Sequence, residues 1–257
     1  MFAIERQQKI KEQLLKEKHV DVSNLSEMFS VSEVTIRRDL DKLEREGFII
    51  KTYGGAILNE ERFQRQTIVE ESEDELKEDK KLIATIACQM VDNGEAVFIG
   101  PGTTCLEVAK NIKKRRLTVI TNDMLIAMEL KDCPGIKVIV TGGDLIHSTS
   151  VLVGHFSQQV LKGIYIDKAI IGVKGVSTTS GYTVNNYEQA MLLREVSKIS
   201  KEIIIVADYT KFDRTAFARL GDLTMAQKVV TNKQVAPEFK KYFFEHAIKL
   251  YTTYEFE

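Results

Sequence analysis

From about residue 96 onward, short apolar runs alternate with amphipathic stretches, and that alternation constrains the fold more than any other feature of the chain. The runs 96–99, 117–121, 137–141, 168–172, 203–207 and 228–230 are strand-length and rich in Val and Ile. Helical patterns fall between them, at 105–112, after Asn122-Asp123, and at 188–199. Strands that alternate with helices predict a mostly parallel sheet covered on both faces, an α/β architecture, with 228–230 as its last core strand. In such a sheet ligands bind beyond the carboxyl ends of the strands, so the loops after the strands carry the interest.

Those loops share a chemistry. Gly100-Pro101-Gly102-Thr103-Thr104 joins a strand to a helix, where glycine admits a close backbone approach and the helix N-terminus favours an anion. Thr121-Asn122 and Gly142-Gly143 end two further strands, and Lys211 follows Ala207-Asp208 with a positive charge. Taken together they point to one phosphorylated polar ligand. Tight βα turns that need glycine anyway account for the same residues.

The first 58 residues read differently. Ile10 and Leu14-Leu15 repeat at helical spacing, 20–22 is a short extended piece, and Ser23 is placed to cap a second helix through Leu25, Met28 and Phe29. After Ser30-Val31, Ser32 caps a third helix that stops at Gly47, with Val34, Ile36, Leu40 and Leu43 assigned to its apolar face. Two short helices joined by so brief a turn make a helix-turn-helix, and Thr35, Arg37 and Arg38 near the start of the second fit its recognition role. The run 48–53, the Gly54-Gly55 break and 56–58 form a strand pair, a wing on which Lys51 and Tyr53 can reach phosphate or the minor groove. Each of these residues also has an ordinary reading as a surface side chain.

Between the two regions, 59–75 is acidic and poor in apolar residues until Leu76, a connector that leads into a helix over 76–90. The domains are therefore 1–58, a reader; 59–75, a linker; and 76–257, an α/β domain. The net charge of −1 gives no global pull toward nucleic acid or membrane, so any DNA binding depends on local charge. Cys88, Cys105 and Cys133 are widely spaced with no CxxC pair, and the four histidines show no metal-ligand spacing, so no metal, cofactor or disulfide is expected. The start of the chain has no apolar signal segment and no run is long enough to span a bilayer, which predicts a cytoplasmic protein without a membrane partner.

Two sets of residues carry a family resemblance. Val31-Ser32, Thr35-Ile36-Arg37-Arg38-Asp39-Leu40, Leu43-Glu44, Gly47 and Gly54-Gly55-Ala56 resemble the N-terminal signature of the DeoR family of bacterial transcriptional regulators. The stretch 98–104, Val119-Ile120-Thr121-Asn122, Gly142-Gly143 with Gly154, and 207–212 are similar to the family's sensor domain, itself related to ribose-5-phosphate isomerase. The resemblance implies a winged helix-turn-helix followed by a sensor for a phosphorylated sugar, whose binding releases operator DNA. It departs in places: the family commonly has an acidic residue where this chain has Gly100, and Asp-Gly where it has Lys174-Gly175. Lys174 then meets a second acidic group on the ligand or pairs with a neighbouring carboxylate, and Glu188 bonds ligand hydroxyls or caps its own helix.

The rival class is an aldose–ketose isomerase, for which Glu188, Arg194 and Glu195 lie in the comparable region. Lys174 and the fused reader oppose it. The expectation is a ligand-responsive repressor of a carbohydrate-metabolism operon. It works as a homo-oligomer, dimer or tetramer, whose paired readers match repeated half-sites.

Overall fold

The computed structural model describes residues 3–17, 19–45, 48–58, 76–147 and 149–253. The division between two compact units falls between Glu75 and Leu76. The expected linker 59–75, Gly47 and the end of the recognition stretch at Glu46 lie outside the described residues.

In the first unit, helix α1 (Ala3–Glu17) leads to strand β1 (His19–Asp21), α2 (Val22–Phe29) and α3 (Glu33–Arg45), then β2 (Ile49–Thr52) and β3 (Gly55–Leu58). The strands form one antiparallel sheet in the order β1-β3-β2. Ile10, Leu14, Leu25, Ile36, Leu40, Leu43, Ile49 and Ala56 close a single small core. Two expectations need correction here. Val34 is 61% exposed, because only positions 36, 40 and 43 share a helical face and position 34 projects from the other side. Ser23 does not cap α2: the helix starts one residue earlier, and the first N–H, that of Val22, donates to the wing carbonyl of Gly54 at 2.9 Å.

The turn between α2 and α3 is set by Ser30 in the left-handed conformation at φ +53°. The N–H of Ser30 returns to Glu27 and that of Val31 to Ser26, which closes the end of α2 and aims α3 away from it. Across the core, Arg6 Nε donates to Asp39 Oδ2 at 2.6 Å and Gln7 Nε2 to Oδ1 at 2.7 Å. This ion pair is buried and fastens α1 to α3.

The second unit contains α4 (Lys77–Gln89), β4 (Ala96–Ile99), α5 (Thr103–Ile112), β5 (Leu117–Thr121), α6 (Met124–Leu130) and β6 (Ile136–Val140). A short hairpin of β7 (Asp144–Leu145) and β8 (Leu152–Val153) precedes α7 (His155–Leu161), β9 (Ile166–Gly172), β10 (Gly175–Ser177), β11 (Gly181–Val184) and α8 (Tyr187–Ile199). The chain continues through β12 (Ser200–Val206), β13 (Ala218–Gly221), β14 (Lys228–Thr231), α9 (Pro237–Glu245) and β15 (Lys249–Thr252). Seven strands make a wholly parallel sheet in the order β15-β14-β12-β9-β4-β5-β6.

Successive residues of a strand point to opposite faces, and here both faces are buried. Ile99, Ile170, Ile204 and Val230 pack under α4, α5 and α6, while Phe98, Ile171, Ile205 and Val229 pack under α7, α8 and α9. That is why the strands read as unbroken apolar runs. The run 228–230 is not the last strand of the sheet; β15 pairs beyond it as the edge. Its alternating Lys249-Leu250-Tyr251-Thr252 pattern is only partly buried and lacks the signature of the central strands.

Candidate nucleic-acid interface and ligand site

Ser32 holds the start of α3 as expected: Thr35 N–H donates to the Ser32 carbonyl at 2.9 Å and approaches its Oγ at 3.4 Å. The two hydroxyls also meet at 3.0 Å. Beyond them the exposed face of α3 carries Arg37 and Arg38. Arg37 pairs with Glu33 one turn earlier at 3.0 Å, both groups solvated. Lys51, expected on the wing, reaches back to Asp41 of α3 at 2.6 Å. That hydrogen bond holds the Asp41 carboxyl below its ordinary range and the Lys51 ammonium above its own. Tyr53 stands fully exposed at the wing tip. A helix with an arginine-bearing outer face, packed beside a two-stranded wing, suits the major groove with phosphate contacts on either side.

In the sensor unit the strand order sets the site. From β4 the chain proceeds through β5 and β6 to one side, and from β9 through β12, β14 and β15 to the other. The carboxyl ends of β4 and β9 thus flank a topological switch point, the place where such sheets open a crevice. Gly100 is tied across it, its N–H donating to Ile170 of β9 at 2.9 Å. Gly102 adopts φ +125°, and a β-carbon there would meet nothing within 4 Å. Thr103 and Thr104 are the first residues of α5, which begins two residues earlier than its apolar pattern implied. Thr103 is exposed and Thr104 buried.

Next along the edge, Thr121 is spent on structure: its hydroxyl donates to Ile99 at 2.7 Å and accepts from Asp123 N–H at 3.1 Å. Asn122 is fully buried, and its Nδ2 donates to Leu152 at 3.0 Å. Its Oδ1 has no protein partner among the described residues. Asp123, which sequence reasoning passed over, is buried as the cap of α6; one oxygen accepts from Leu125 N–H at 2.9 Å and the other faces Gly102 N–H at 3.4 Å. The signal was the Asn-Asp pair, in which only the Asn was singled out.

Lys174 follows β9, is exposed, and is held by its backbone N–H to Thr183 at 2.9 Å. Its charge and that of Asp123 both act on Cys105 in the first turn of α5. That thiol is raised to about 12, chiefly by burial and in lesser part by Asp123, against the opposing pull of Gly172 and Lys174. Lys211, after β12, is 26% exposed; its Nζ lies 3.4 Å from Asp208 Oδ2 and donates to Thr210 Oγ1 at 3.1 Å. Phe212, packed edge-on to Phe239 with centroids 5.0 Å apart, anchors the turn that carries it.

Three further expected residues complete the set. Gly142 and Gly143 follow the edge strand β6, four strands from β12, or about 19 Å at about 4.8 Å per strand. A β-carbon on Gly143 would lie 2.1 Å from Ser157 Oγ and 2.2 Å from the Val153 carbonyl, so this glycine makes room for α7. Glu188 is exposed in the first turn of α8 and is not its cap; Asn186 Oδ1 accepts from Gln189 N–H at 2.8 Å in that role. Of the isomerase candidates, Arg194 is committed to the Leu220 and Arg219 carbonyls and Glu195 to Lys198. Among the described residues no group of His, Cys, Asp and Glu could hold a metal ion, and no helix is long and apolar enough to cross a membrane.

Residues 6–62 match the DeoR-like helix-turn-helix domain and residues 75–233 the DeoR C-terminal sensor domain. The chain belongs to the DeoR family of transcriptional regulators. It is similar to the uncharacterized HTH-type transcriptional regulator YulB of Bacillus subtilis, 32% identical over 97% of this chain and 96% of that one. It is also similar to the lactose phosphotransferase system repressor of Lactococcus lactis, 29% identical over 94% and 95%. Ribose 5-phosphate isomerase A of Methanocaldococcus jannaschii is similar at 15% identity over 53% of this chain and 55% of that one, with a TM-score of 0.40. As a DeoR-family member the chain is a DNA-binding transcriptional regulator and not an isomerase.

Proposed function

We propose that this regulator represses a carbohydrate-metabolism operon in the cytoplasm and leaves its operator when a phosphorylated sugar occupies the switch-point crevice. The observation that carries the reading is the open space before Gly102, at the N-terminus of the ten-residue helix α5 and just past the carboxyl end of β4. Backbone N–H groups there suit a phosphate, with Lys174 and Lys211 as counter-charges and Thr103 as a hydroxyl donor. Asn122, whose Oδ1 has no partner among the described residues, and Asp123 accept hydrogen bonds from sugar hydroxyls, and Glu188 can add a third acceptor from α8. Gly100 and Thr104 shape the floor. In this assignment Thr121, Gly142 and Gly143 hold the loops in place without touching the ligand.

On the DNA side, 1–58 is the reader and 76–257 the sensor, joined by 59–75. Arg38 reads base edges, Arg37 and Lys51 meet phosphate once they leave Glu33 and Asp41, and Ser32, Thr35 and Tyr53 complete the backbone contacts. Paired readers in a homo-oligomer match two half-sites, and the sugar phosphate favours an arrangement whose spacing no longer fits. The similarity to a repressor of a lactose phosphotransferase system supports the carbohydrate assignment. A thermal-shift panel of sugar phosphates tests it. One phosphorylated sugar should raise the melting temperature and its unphosphorylated parent should not. If no compound shifts a protein that still binds its operator, the crevice assignment is wrong.

A further inference from the structure

The exposed valine at the start of α3 is the one apolar side chain in the row that points away from the reader's core. At about 100° per residue, Val34, Arg38, Asp41 and Arg45 fall within about 60° of one another. They lie opposite Ile36, Asp39, Leu40 and Leu43, all of which are buried. Three members of this outer row are charged, and Asp41 is already neutralised by Lys51 at 2.6 Å. The first is Val34, 61% exposed in the turn of a recognition helix that comes closest to the base edges. Isolated exposed apolar residues are common on protein surfaces. This one sits where a DNA reader makes its sequence-specific contacts, and a β-branched residue gains nothing there from helix propensity.

We infer that Val34 packs against the C5-methyl group of a thymine in the major groove. The thymine lies within about two base pairs of the base read by Arg38. The only apolar group that a base pair presents in that groove is the thymine methyl. Four residues of helix advance about 6 Å and one base step about 3.4 Å, which sets the separation of the two contacts. The inference rests on α3 being the recognition helix.

The test uses the full chain and the duplex it selects from a random-sequence DNA pool. Each thymine of that duplex is replaced in turn by deoxyuridine, which removes the methyl group alone. Wild-type affinity should fall about fourfold at one thymine per half-site, the effect of one buried methyl-sized group. Val34→Ala, which removes the contact at both half-sites, should bind the unmodified duplex about sixteenfold more weakly and be indifferent to that replacement. Val34→Thr, which keeps one methyl, should retain the preference. Indifference of the wild type at every thymine, or an undiminished penalty in Val34→Ala, overturns the contact and leaves the reader assignment standing. Failure of the wild type to select any duplex overturns both.

Discussion

Replacing Asp39 by Ala should cripple the reader although the residue never has to touch DNA. The substitution leaves the Arg6 guanidinium, only 7% exposed, without its carboxylate and removes the acceptor of Gln7 as well. Breaking a buried pair from one side costs about 3–5 kcal/mol. For a unit of this size each kcal/mol lowers the melting temperature by about 4–8 °C, so the reader's transition should fall by at least about 12 °C. Circular dichroism of the full chain on heating and in urea reads this directly, with the sensor transition unmoved. The double variant Arg6→Met/Asp39→Leu replaces the pair by apolar groups and should recover stability to within about 1 kcal/mol of wild type. A loss below about 1 kcal/mol in Asp39→Ala, or a double variant no better than the single, would refute the claim that this pair fastens α1 to α3.

Other variants separate the remaining roles. Glu33→Gln frees Arg37 from an exposed pair at 3.0 Å, so stability should hold and operator affinity should rise, by up to about fivefold in an anisotropy titration. Weaker binding would show that Glu33 positions Arg37 productively. Gly143→Ala forces a β-carbon onto Ser157 Oγ and the Val153 carbonyl at φ +107° and should destabilise the sensor by more than about 2 kcal/mol in urea melts. An unshifted midpoint would mean that α7 yields easily and the close packing is incidental.

Much of the fold was legible because its physics is local. Ala96–Ile99 and Leu117–Thr121 match the sequence expectation end for end, since strands buried on both faces leave apolar runs that nothing solvated imitates. The antiparallel sheet β10-β11-β13 went unread, because Gly175-Val176-Ser177 and Gly181-Tyr182-Thr183-Val184 carry turn-type residues and owe their burial to α8 and to each other. By residue type alone Val34 belongs in the core and Asp39 on the surface, and the structure reverses both. In each case the neighbours across space, not along the chain, decide the environment. At the carboxyl edge of the sensor sheet the glycines and threonines stand out, yet hydrogen-bond accounting divides them: Thr121 is consumed internally, while Asn122 keeps a buried oxygen without a partner among the described residues. No spacing rule distinguishes these two adjacent residues.

The central claim is that a sugar phosphate bound at the carboxyl edge of the sensor sheet loosens the hold of α3 on DNA. Fluorescence anisotropy of a labelled operator, titrated with the sugar phosphate found by thermal shift, tests it when wild type and Lys211→Ala are compared side by side. The account predicts equal operator affinity without ligand, release of the wild type, and retention of the variant at the same ligand concentration. Release of Lys211→Ala at the wild-type midpoint would contradict it.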